Sequence, residues 1–249
     1  SLKAKRNSLH PWIFSRMIRH PQQHLPPGSL VEVISREGIF IGRGIYNKKS
    51  NIGIRLLTEN ATEKLDRGFF FKKLEQAKML REEILGIHRT SDCYRLVHGE
   101  ADGLSGLIVD KFAEIFVVEP YSAGYLGIME WIASSLQSLY PGSRIVVRPD
   151  ERIAVKEGVN FAKIASAYSG PDAVEIKEHF LRMMVNLKTG HKTGFFLDQR
   201  ETRFVLSEYC RGREVLDCFC YAGGFAISAM LAGAKSATGI DLDEKALET

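Results

Sequence analysis

The sequence has no run of eighteen consecutive apolar residues and therefore offers no candidate for a membrane-spanning helix. Its first residues, SLKAKRNSLHPW, lack the apolar segment and the cleavage site of a secretory signal peptide. Cysteine is scarce, and Cys93, Cys210, Cys218 and Cys220 do not have the spacing of a disulfide framework or a zinc site. These absences predict a cytoplasmic protein with no membrane partner, no disulfide and no bound metal.

The net charge of +4 conceals an uneven distribution of basic residues. Residues 1–75 hold 14 Lys and Arg against 6 Asp and Glu, whereas the rest of the chain has an acidic excess. A basic surface can bind a polyanion, because each cation near a phosphate releases counterions. An ordinary solvated surface explains the composition equally well. The candidate phosphate contacts are Lys3, Lys5, Arg6, Arg16, Arg19, Arg43, Lys48, Lys49 and Arg55.

The first part of the chain is predicted to be rich in β-strands. Short β-branched runs at residues 31–34, 39–41 and 52–56 are separated by glycine and polar residues, which is typical of a small antiparallel barrel or sheet. Residues 10–18 have the apolar spacing of a short amphipathic helix. We therefore predict a compact basic module over residues 1–68.

A mixed α/β domain is predicted over residues 69–172. Helical spacing indicates a connecting helix from residue 69 to 85 and a second, apolar helix from 123 to 140. Apolar runs predict strands at 106–110 and 115–119, around a turn at 111–114, and at 144–150.

The last part of the chain, residues 173–249, begins with a different pattern. A hairpin is predicted between residues 180–186 and 192–196, followed by a helix over 198–209. Residues 213–249 then give strand, loop, helix, strand and the start of a helix, which is one βαβ unit. Nucleotide-binding sheets of this class contain several more strands, so we predict only the first part of such a domain.

The stretch VLDCFCYAGGF places Asp217, Gly223 and Gly224 where a βαβ unit binds its ligand, and Asp241 ends the second strand. Both glycines can adopt positive φ, and an acid after the second strand can accept the hydroxyls of a ribose. The three-glycine pattern of dinucleotide enzymes is absent, which disfavours an NAD-dependent oxidoreductase. A carboxylate suits a cationic ligand such as S-adenosylmethionine. Alternatively, Asp217 is only a helix N-terminal acid and the glycines are a tight connection.

Three motifs in order, YRLVHGEADGLSGLIVDKF, KTGFFLDQRETR and VLDCFCYAGGFAISA, together with HPWIF near the start, resemble the PUA-domain class I methyltransferases of large-subunit ribosomal RNA, including cytosine-5 methyltransferases. The resemblance implies a multidomain α/β protein with a β-rich N-terminal barrel. This fold would comprise a PUA-like module, a central α+β domain and the first βαβ part of a Rossmann-like methyltransferase domain. The implied cofactor is S-adenosyl-L-methionine, and the implied reaction is methylation of an rRNA base at cytosine C5.

The resemblance also implies which residues contact the cofactor. They are Asp217, Phe219, Tyr221, Gly223, Gly224, Asp241, Lys192, Thr193, Gly194, Phe195, Asp198, Gln199 and Arg200. Arg200 could pair with the methionyl carboxylate, and Phe195 could cover an apolar edge of the cofactor. A core position is an equally good interpretation of Phe195, because aromatic residues are mostly buried.

No catalytic residue can be assigned from the sequence. Methylation at cytosine C5 needs a thiolate, but Cys218 and Cys220 are expected to be small apolar residues near the cofactor, and the catalytic residues are expected beyond Thr249. RNA, bound through the basic module, is the expected partner, and a second copy of the chain in a homodimer is a further candidate. The alternative function is a noncatalytic RNA-binding protein with a vestigial cofactor loop.

Overall fold

A computed structural model describes residues 1–5, 9–19 and 21–248. The chain clusters into two compact units. The first comprises Ser1–Ile84, Leu96–Asp110 and Glu114–Gly170, and the second comprises Leu85–Arg95, Lys111–Ala113 and Pro171–Thr249. Within the described residues, no helix combines the length and the apolar character needed to cross a membrane. The three-part division at residues 68 and 172 stays a prediction.

Six short strands form one sheet in the first unit, in the order β2-β6-β5-β4-β1-β3. They are β1 (Leu2–Ala4), β2 (Trp12–Ile13), β3 (Ile18–Arg19), β4 (Ser29–Ile34), β5 (Phe40–Tyr46) and β6 (Ile54–Thr58). Ile13 and Ile18 of the two end strands lie in the same apolar cluster as Val33 and Tyr46 of the middle strands. The sheet therefore curves around one core, and the predicted β-rich module is confirmed.

The helix predicted over residues 10–18 is wrong. These residues form β2, a single 3₁₀ turn over Ser15–Met17, and β3. Trp12 pairs with Arg55 of β6, and Ile13 pairs with Ile54. Tertiary pairing thus overrides the helical spacing of the apolar residues, helped by Trp12 and Ile13, which both fit well in strands.

The rest of the first unit has the predicted α/β character. Its elements in chain order are α1 (Arg67–Lys78), β7 (Cys93–His98), β8 (Leu107–Phe112), β9 (Ile115–Pro120), α2 (Tyr125–Leu139), β10 (Arg144–Val147), α3 (Glu151–Glu157) and α4 (Ala162–Ala167). The sheet order is β10-β9-β8-β7, and residues at the start of β7 and the end of β8 are assigned to the second unit. A π-helical turn over Met79–Ile84 extends α1, so the predicted helix 69–85 is confirmed. The sequence prediction missed β7, α3 and α4.

The second unit combines a hairpin with a parallel pair of strands. Its elements are β11 (Ala173–Glu178), β12 (Leu181–Asn186), α5 (Arg200–Ser207), β13 (Glu214–Cys218), α6 (Gly224–Leu231), β14 (Ser236–Ile240) and α7 (Glu244–Leu247). β13 and β14 are parallel, which confirms the predicted strand–helix–strand order. That this unit opens a Rossmann-like domain stays a prediction.

The predicted hairpin has the wrong partner strand. β12 pairs with β11, not with residues 192–196, which form no strand. The connection between the two strands is only two residues long, His179 and Phe180, and His179 adopts a positive φ of 52°. A two-residue turn with a left-handed residue is the geometry that closes a tight antiparallel pair.

Two of the sequence motifs meet through a polar network in the first unit. Trp12 of HPWIF donates its indole N–H to Glu100 Oε1 at 2.7 Å, and Ser105 Oγ donates to the same oxygen at 2.7 Å. The guanidinium of the buried Arg55 lies 3.5 Å from this carboxylate and 5.5 Å from the centre of the Trp12 ring. Burial alone would raise the pKa of Glu100, but the bonds from Ser105 and Trp12 and the charge of Arg55 lower it.

We expect Glu100→Ala to reduce the free energy of unfolding by about 1–3 kcal/mol, because it removes the acceptor of the Trp12 indole and the carboxylate beside the buried Arg55. Urea unfolding would measure the change, with Glu75→Ala on the exposed face of α1 as the matched control. Since the pKa of Glu100 is lowered in the folded protein, the stabilisation is present at neutral pH and is lost as the pH falls through that pKa. Equal effects of the two substitutions would contradict the prediction.

Candidate functional site

Two parallel strands of the second unit end side by side. β13 pairs with β14 so that Asp217 lies opposite Gly239. Residues 219–223 leave the end of β13 and lead into α6, and Asp241 directly follows β14. The structure therefore brings Asp217, the glycine loop and Asp241 to one edge, which is where sheets of this kind bind their ligands.

The loop between β13 and α6, residues 219–223, is held in an unusual backbone conformation. Phe219, Tyr221 and Gly223 have positive φ angles of 65°, 52° and 75°. A left-handed residue other than glycine costs roughly 1–2 kcal/mol. The carbonyl of Ile240 offsets part of this cost, since it accepts the N–H groups of Phe219 at 2.7 Å and Cys220 at 3.1 Å. Such strain persists only where surrounding contacts fix it, and it is concentrated at functional sites.

Asp241 joins the two loops at this edge. Its Oδ2 accepts the backbone N–H of Tyr221 at 2.7 Å, and its Oδ1 accepts the N–H of Asp243 at 2.9 Å. These two bonds hold the pKa of Asp241 below its usual range, so that the carboxylate is ionised at neutral pH. Each carboxylate oxygen has a further lone pair that can accept a bond from a ligand.

Asp217 and the two glycines have structural roles, which the sequence analysis gave as the alternative to ligand binding. Asp217 Oδ2 accepts the N–H of Ala226 at 3.1 Å in the first turn of α6, which is the helix N-terminal role. Burial raises the pKa of Asp217, the Ala226 bond opposes this, and the charge of Asp241 adds to it. Of the two glycines, only Gly223 has the positive φ expected for both. Gly224 is needed for space: a Cβ there would lie 3.2 Å from Phe195 Cζ.

The segment 190–199 is tied to the glycine loop through side chains. Nε2 of the His191 ring lies 2.8 Å from Asp243 Oδ2, and the backbone N–H of His191 donates to the Tyr221 hydroxyl at 2.9 Å. That hydroxyl in turn donates to the carbonyl of Gly194 at 3.1 Å. His191 thus connects two parts of the candidate site.

The predicted cationic contacts of this segment are paired within the protein. Lys192 Nζ lies 3.0 Å from Asp198 Oδ2 and 4.5 Å from the centre of the Phe196 ring. Arg200 Nε donates to Glu201 Oε1 at 2.9 Å. The charge of either cation is thus partly neutralised by an acid of the protein.

A cavity of about 440 Å³ opens between the glycine loop and the 190–199 segment. This volume lies in the range of small-molecule sites. Six predicted contacts line it: Phe195, Gln199, Phe219, Tyr221, Gly224 and Asp241. The other seven do not: Asp217, Gly223, Lys192, Thr193, Gly194, Asp198 and Arg200.

Six residues that line the cavity were not among the predicted contacts: His191, Phe196, Arg203, Cys220, Phe225 and Asp243. Arg203 belongs to α5, Phe225 lies in the first turn of α6, and Asp243 lies two residues after Asp241. Helical spacing was a usable signal for Arg203, because it lies one turn after the predicted contact Gln199. Asp243 could have been found as a second acid just beyond the strand end.

The two cysteines near the loop do not have the environment of a nucleophile. Cys220 is buried, and burial together with the charges of Asp217 and Asp241 raises the pKa of its thiol. Cys218 is exposed on β13 and does not line the cavity. Within the described residues, no group of three or more His, Cys, Asp or Glu side chains is arranged to hold a metal ion.

A basic groove of about 480 Å³ lies on the N-terminal sheet, beside β1 and β3, which pair Lys3 with Arg19. Five exposed cations line it: Lys3, Lys5, Arg16, Arg19 and Arg36, the last of which the sequence prediction missed. Two other predicted phosphate contacts lie beside acidic side chains of the protein instead. Arg43 pairs with Glu32 at 2.9 Å, and Arg55 is buried beside Glu100. Arg6 lies outside the described residues.

Comparison with protein families identifies two segments. Residues 3–59 match the PUA-like domain, and residues 162–249 match the S-adenosylmethionine-dependent methyltransferase family. The chain is 39% identical over 240 residues to the Ribosomal RNA large subunit methyltransferase I of Pseudoalteromonas atlantica, covering 96% of this chain and 60% of the relative. It is 36% identical to the protein of that name from Cronobacter sakazakii, covering 99% and 63%. The chain thus spans about 60% of the length of these relatives.

Solved structures show a matching fold. One is a SAM-dependent methyltransferase from Streptococcus mutans, with a TM-score of 0.76 and 21% identity, covering 100% of this chain and 65% of that one. Another is a methyltransferase complexed with SAH, with a TM-score of 0.74 and 22% identity, covering 96% and 60%. The cofactor predicted from the sequence is the one that the matching family uses. The chain therefore resembles a PUA-like domain over residues 3–59 and an S-adenosylmethionine-dependent methyltransferase over residues 162–249.

Proposed function

We propose that the full-length protein containing this chain is an S-adenosylmethionine-dependent methyltransferase that acts on large-subunit ribosomal RNA. The observation that carries the proposal is the ionised carboxylate of Asp241 beside the left-handed glycine loop, at the mouth of a cavity of suitable volume. The names of the relatives support rRNA as the substrate. Cytoplasmic location and a homodimer remain predictions.

The electrostatics of the cavity fit a ligand with a positive charge. Asp241 and Asp243 both line it. The two basic side chains in its wall are engaged by acids, His191 by Asp243 and Arg203 by Glu178. An unscreened pyrophosphate would be repelled by this wall, whereas a sulfonium would be attracted. This argument supports S-adenosylmethionine over a dinucleotide.

The residues present allow specific assignments. Asp241 would accept hydroxyls of the ribose, and Phe219, Tyr221 and Phe195 would contact the adenosine through their rings. Gly223 would let the ligand approach the backbone, and Gly224 lines the cavity beside Phe195. Six residues of the 190–199 segment and the start of α5 are proposed to hold the methionyl end of the cofactor or to support the loop that holds it: Lys192, Thr193, Gly194, Asp198, Gln199 and Arg200. Asp217 would act indirectly, through its hydrogen bond to α6.

The bound cofactor would supply a methyl group on a positively charged sulfur. The described residues bind and orient that cofactor and exclude water from it, and they include no thiol suited to attack a base. We propose cytosine C5 as the target, following the resemblance to cytosine-5 methyltransferases. This chemistry requires a thiolate, since carbon 5 becomes nucleophilic only after attack at the neighbouring ring carbon.

Cofactor binding can be tested on the full-length protein by isothermal titration calorimetry. We expect wild-type protein to bind S-adenosylmethionine, and Asp241→Asn to weaken binding at least about tenfold, because charge-assisted hydrogen bonds contribute about 1.5–3 kcal/mol. Asp172→Asn, at an exposed acid of the same unit, is the matched control and should leave the affinity unchanged. Absence of binding by the wild type, with RNA binding retained, would favour the noncatalytic alternative.

The target base can be tested by transfer of a radiolabelled methyl group to unmodified large-subunit rRNA, followed by digestion to nucleosides. We expect the label in 5-methylcytidine. Label in a different nucleoside would refute cytosine C5 while leaving the rRNA methyltransferase proposal intact. Transfer to protein but not to RNA would refute the substrate class.

The basic groove on the N-terminal sheet is the proposed contact for RNA phosphates. Lys3→Ala combined with Arg19→Ala should reduce the affinity for rRNA fragments. The magnitude of the slope of log K against log salt should fall by about 1–2, because a protein that makes fewer phosphate contacts releases fewer counterions when it binds. Lys156→Ala, at an exposed lysine outside the groove in the same unit, is the control. An unchanged salt slope in the double variant would assign phosphate binding to another surface.

A further inference from the structure

Arg203 of α5 forms a deeply buried ion pair with Glu178 in the second unit. Its Nε donates to Oε1 of Glu178 and its Nη2 to Oε2, both at 2.6 Å. The two side chains are only 3% and 2% exposed. Burying both charges carries a desolvation penalty, so a pair of this kind is weak evidence for stability. Its role lies in what the guanidinium holds in place.

The guanidinium contacts two walls of the candidate cavity. On one side, Nη2 donates to the carbonyl of Phe196 at 3.2 Å, and the Phe195 ring centre lies 4.4 Å from Cζ. On the other side, the ring of Phe225, in the first turn of α6, lies 5.7 Å away. One planar cation thus joins the 190–199 segment to the start of the helix that follows the glycine loop.

Gly224 makes this approach possible. A Cβ at Gly224 would lie 3.2 Å from Arg203 Cδ and 3.2 Å from Phe195 Cζ, so either side chain would have to shift by a few tenths of an ångström to accommodate it. The second glycine of the loop thus provides space for Arg203 and Phe195 against α6. Because Glu178 neutralises the guanidinium, Arg203 is poorly placed to attract a ligand carboxylate and acts through the aromatic residues instead.

We propose that Arg203, oriented by Glu178, is a positioning residue of the cofactor cavity: it fixes Phe195 and Phe196 against the first turn of α6. The inference rests on the proposed function, because it assigns the cavity to the cofactor. Arginine is required for this role because its rigid fork binds a carboxylate in two places while its flat face stacks on a ring.

Arg203→Lys keeps the charge and removes the fork. In the full-length protein we expect this variant to bind S-adenosylhomocysteine about tenfold more weakly in calorimetry, since misplacement of a binding wall is costly. Hydrogen–deuterium exchange should increase in peptides covering residues 190–199 and stay unchanged in β13. Arg182→Lys is the matched control. Arg182 pairs with Glu175 in the β11–β12 hairpin, which also contains Glu178, but both of these side chains are exposed. The control should change neither measurement.

A second variant separates positioning from stability. Arg203→Met combined with Glu178→Met removes both charges, and such replacements of buried ion pairs are often neutral for stability. We expect a thermal unfolding midpoint close to that of the wild type, together with the same loss of affinity as Arg203→Lys. A large fall in the midpoint would show a general stabilising role and overturn the inference.

The remaining outcomes are distinguishable. If the wild type binds S-adenosylhomocysteine and Arg203→Lys binds it equally well, the positioning role is refuted and the proposed function stands. If the wild type does not bind it, the proposed function fails, and the exchange of residues 190–199 still decides whether Arg203 fixes that segment. Increased exchange throughout the second unit would refute a local role.

Discussion

The hydrogen bonds to the Asp241 carboxylate are the interaction on which the candidate site depends. Parallel pairing of β13 and β14 brings two strand ends to one edge, but pairing alone does not determine the loops that follow. Asp241 does so, because one oxygen holds the backbone of Tyr221 and the other holds that of Asp243. The left-handed residues of the glycine loop are sterically unfavourable, and these bonds help to make them the stable arrangement. The loop structure and the proposed ligand recognition therefore rest on the same carboxylate.

A second constraint is the limited number of cations around this carboxylate. His191 and Lys192 of the 190–199 segment each engage an acid, as does Arg203 of α5. These pairs fasten the segment to its surroundings and at the same time remove free positive charge from the cavity wall. The wall is left with an acidic character that suits a sulfonium. In the proposed function, this pairing with acids would contribute to ligand selection as well as to packing.

The sequence predicts those features that depend on local pattern. The strand–helix–strand order of residues 213–249 and the helical spacing of α2 were sufficient, and α2 buries one periodic face as that spacing requires. The helix over residues 10–18 failed because Trp12 and Ile13 gain more by pairing with β6. The hairpin failed because its partner, β11, alternates polar and apolar residues too weakly to stand out.

The candidate site was predictable in its residues more than in their roles. Asp241 and Tyr221 line the cavity as expected, whereas Asp217 caps α6 and Arg200 pairs with Glu201. Sequence spacing gives the position of a side chain along the chain, but not which of several partners it binds. Arg203 and Glu178 are 25 residues apart, and only the fold places them in contact.

The two proposed ligands require opposite electrostatics, and the chain separates them. RNA phosphates need unneutralised cations, which the groove at Lys3 and Arg19 supplies in the first unit. A sulfonium is favoured by a cavity wall with an acidic excess, which Asp241 and Asp243 give the cavity of the second unit. Either set of charges would weaken the other if both lay in one cavity, since opposite charges at close range would pair with each other. The basic bias of residues 1–75, the first electrostatic signal in the sequence, is therefore what a methyltransferase with a cationic cofactor and a polyanionic substrate requires.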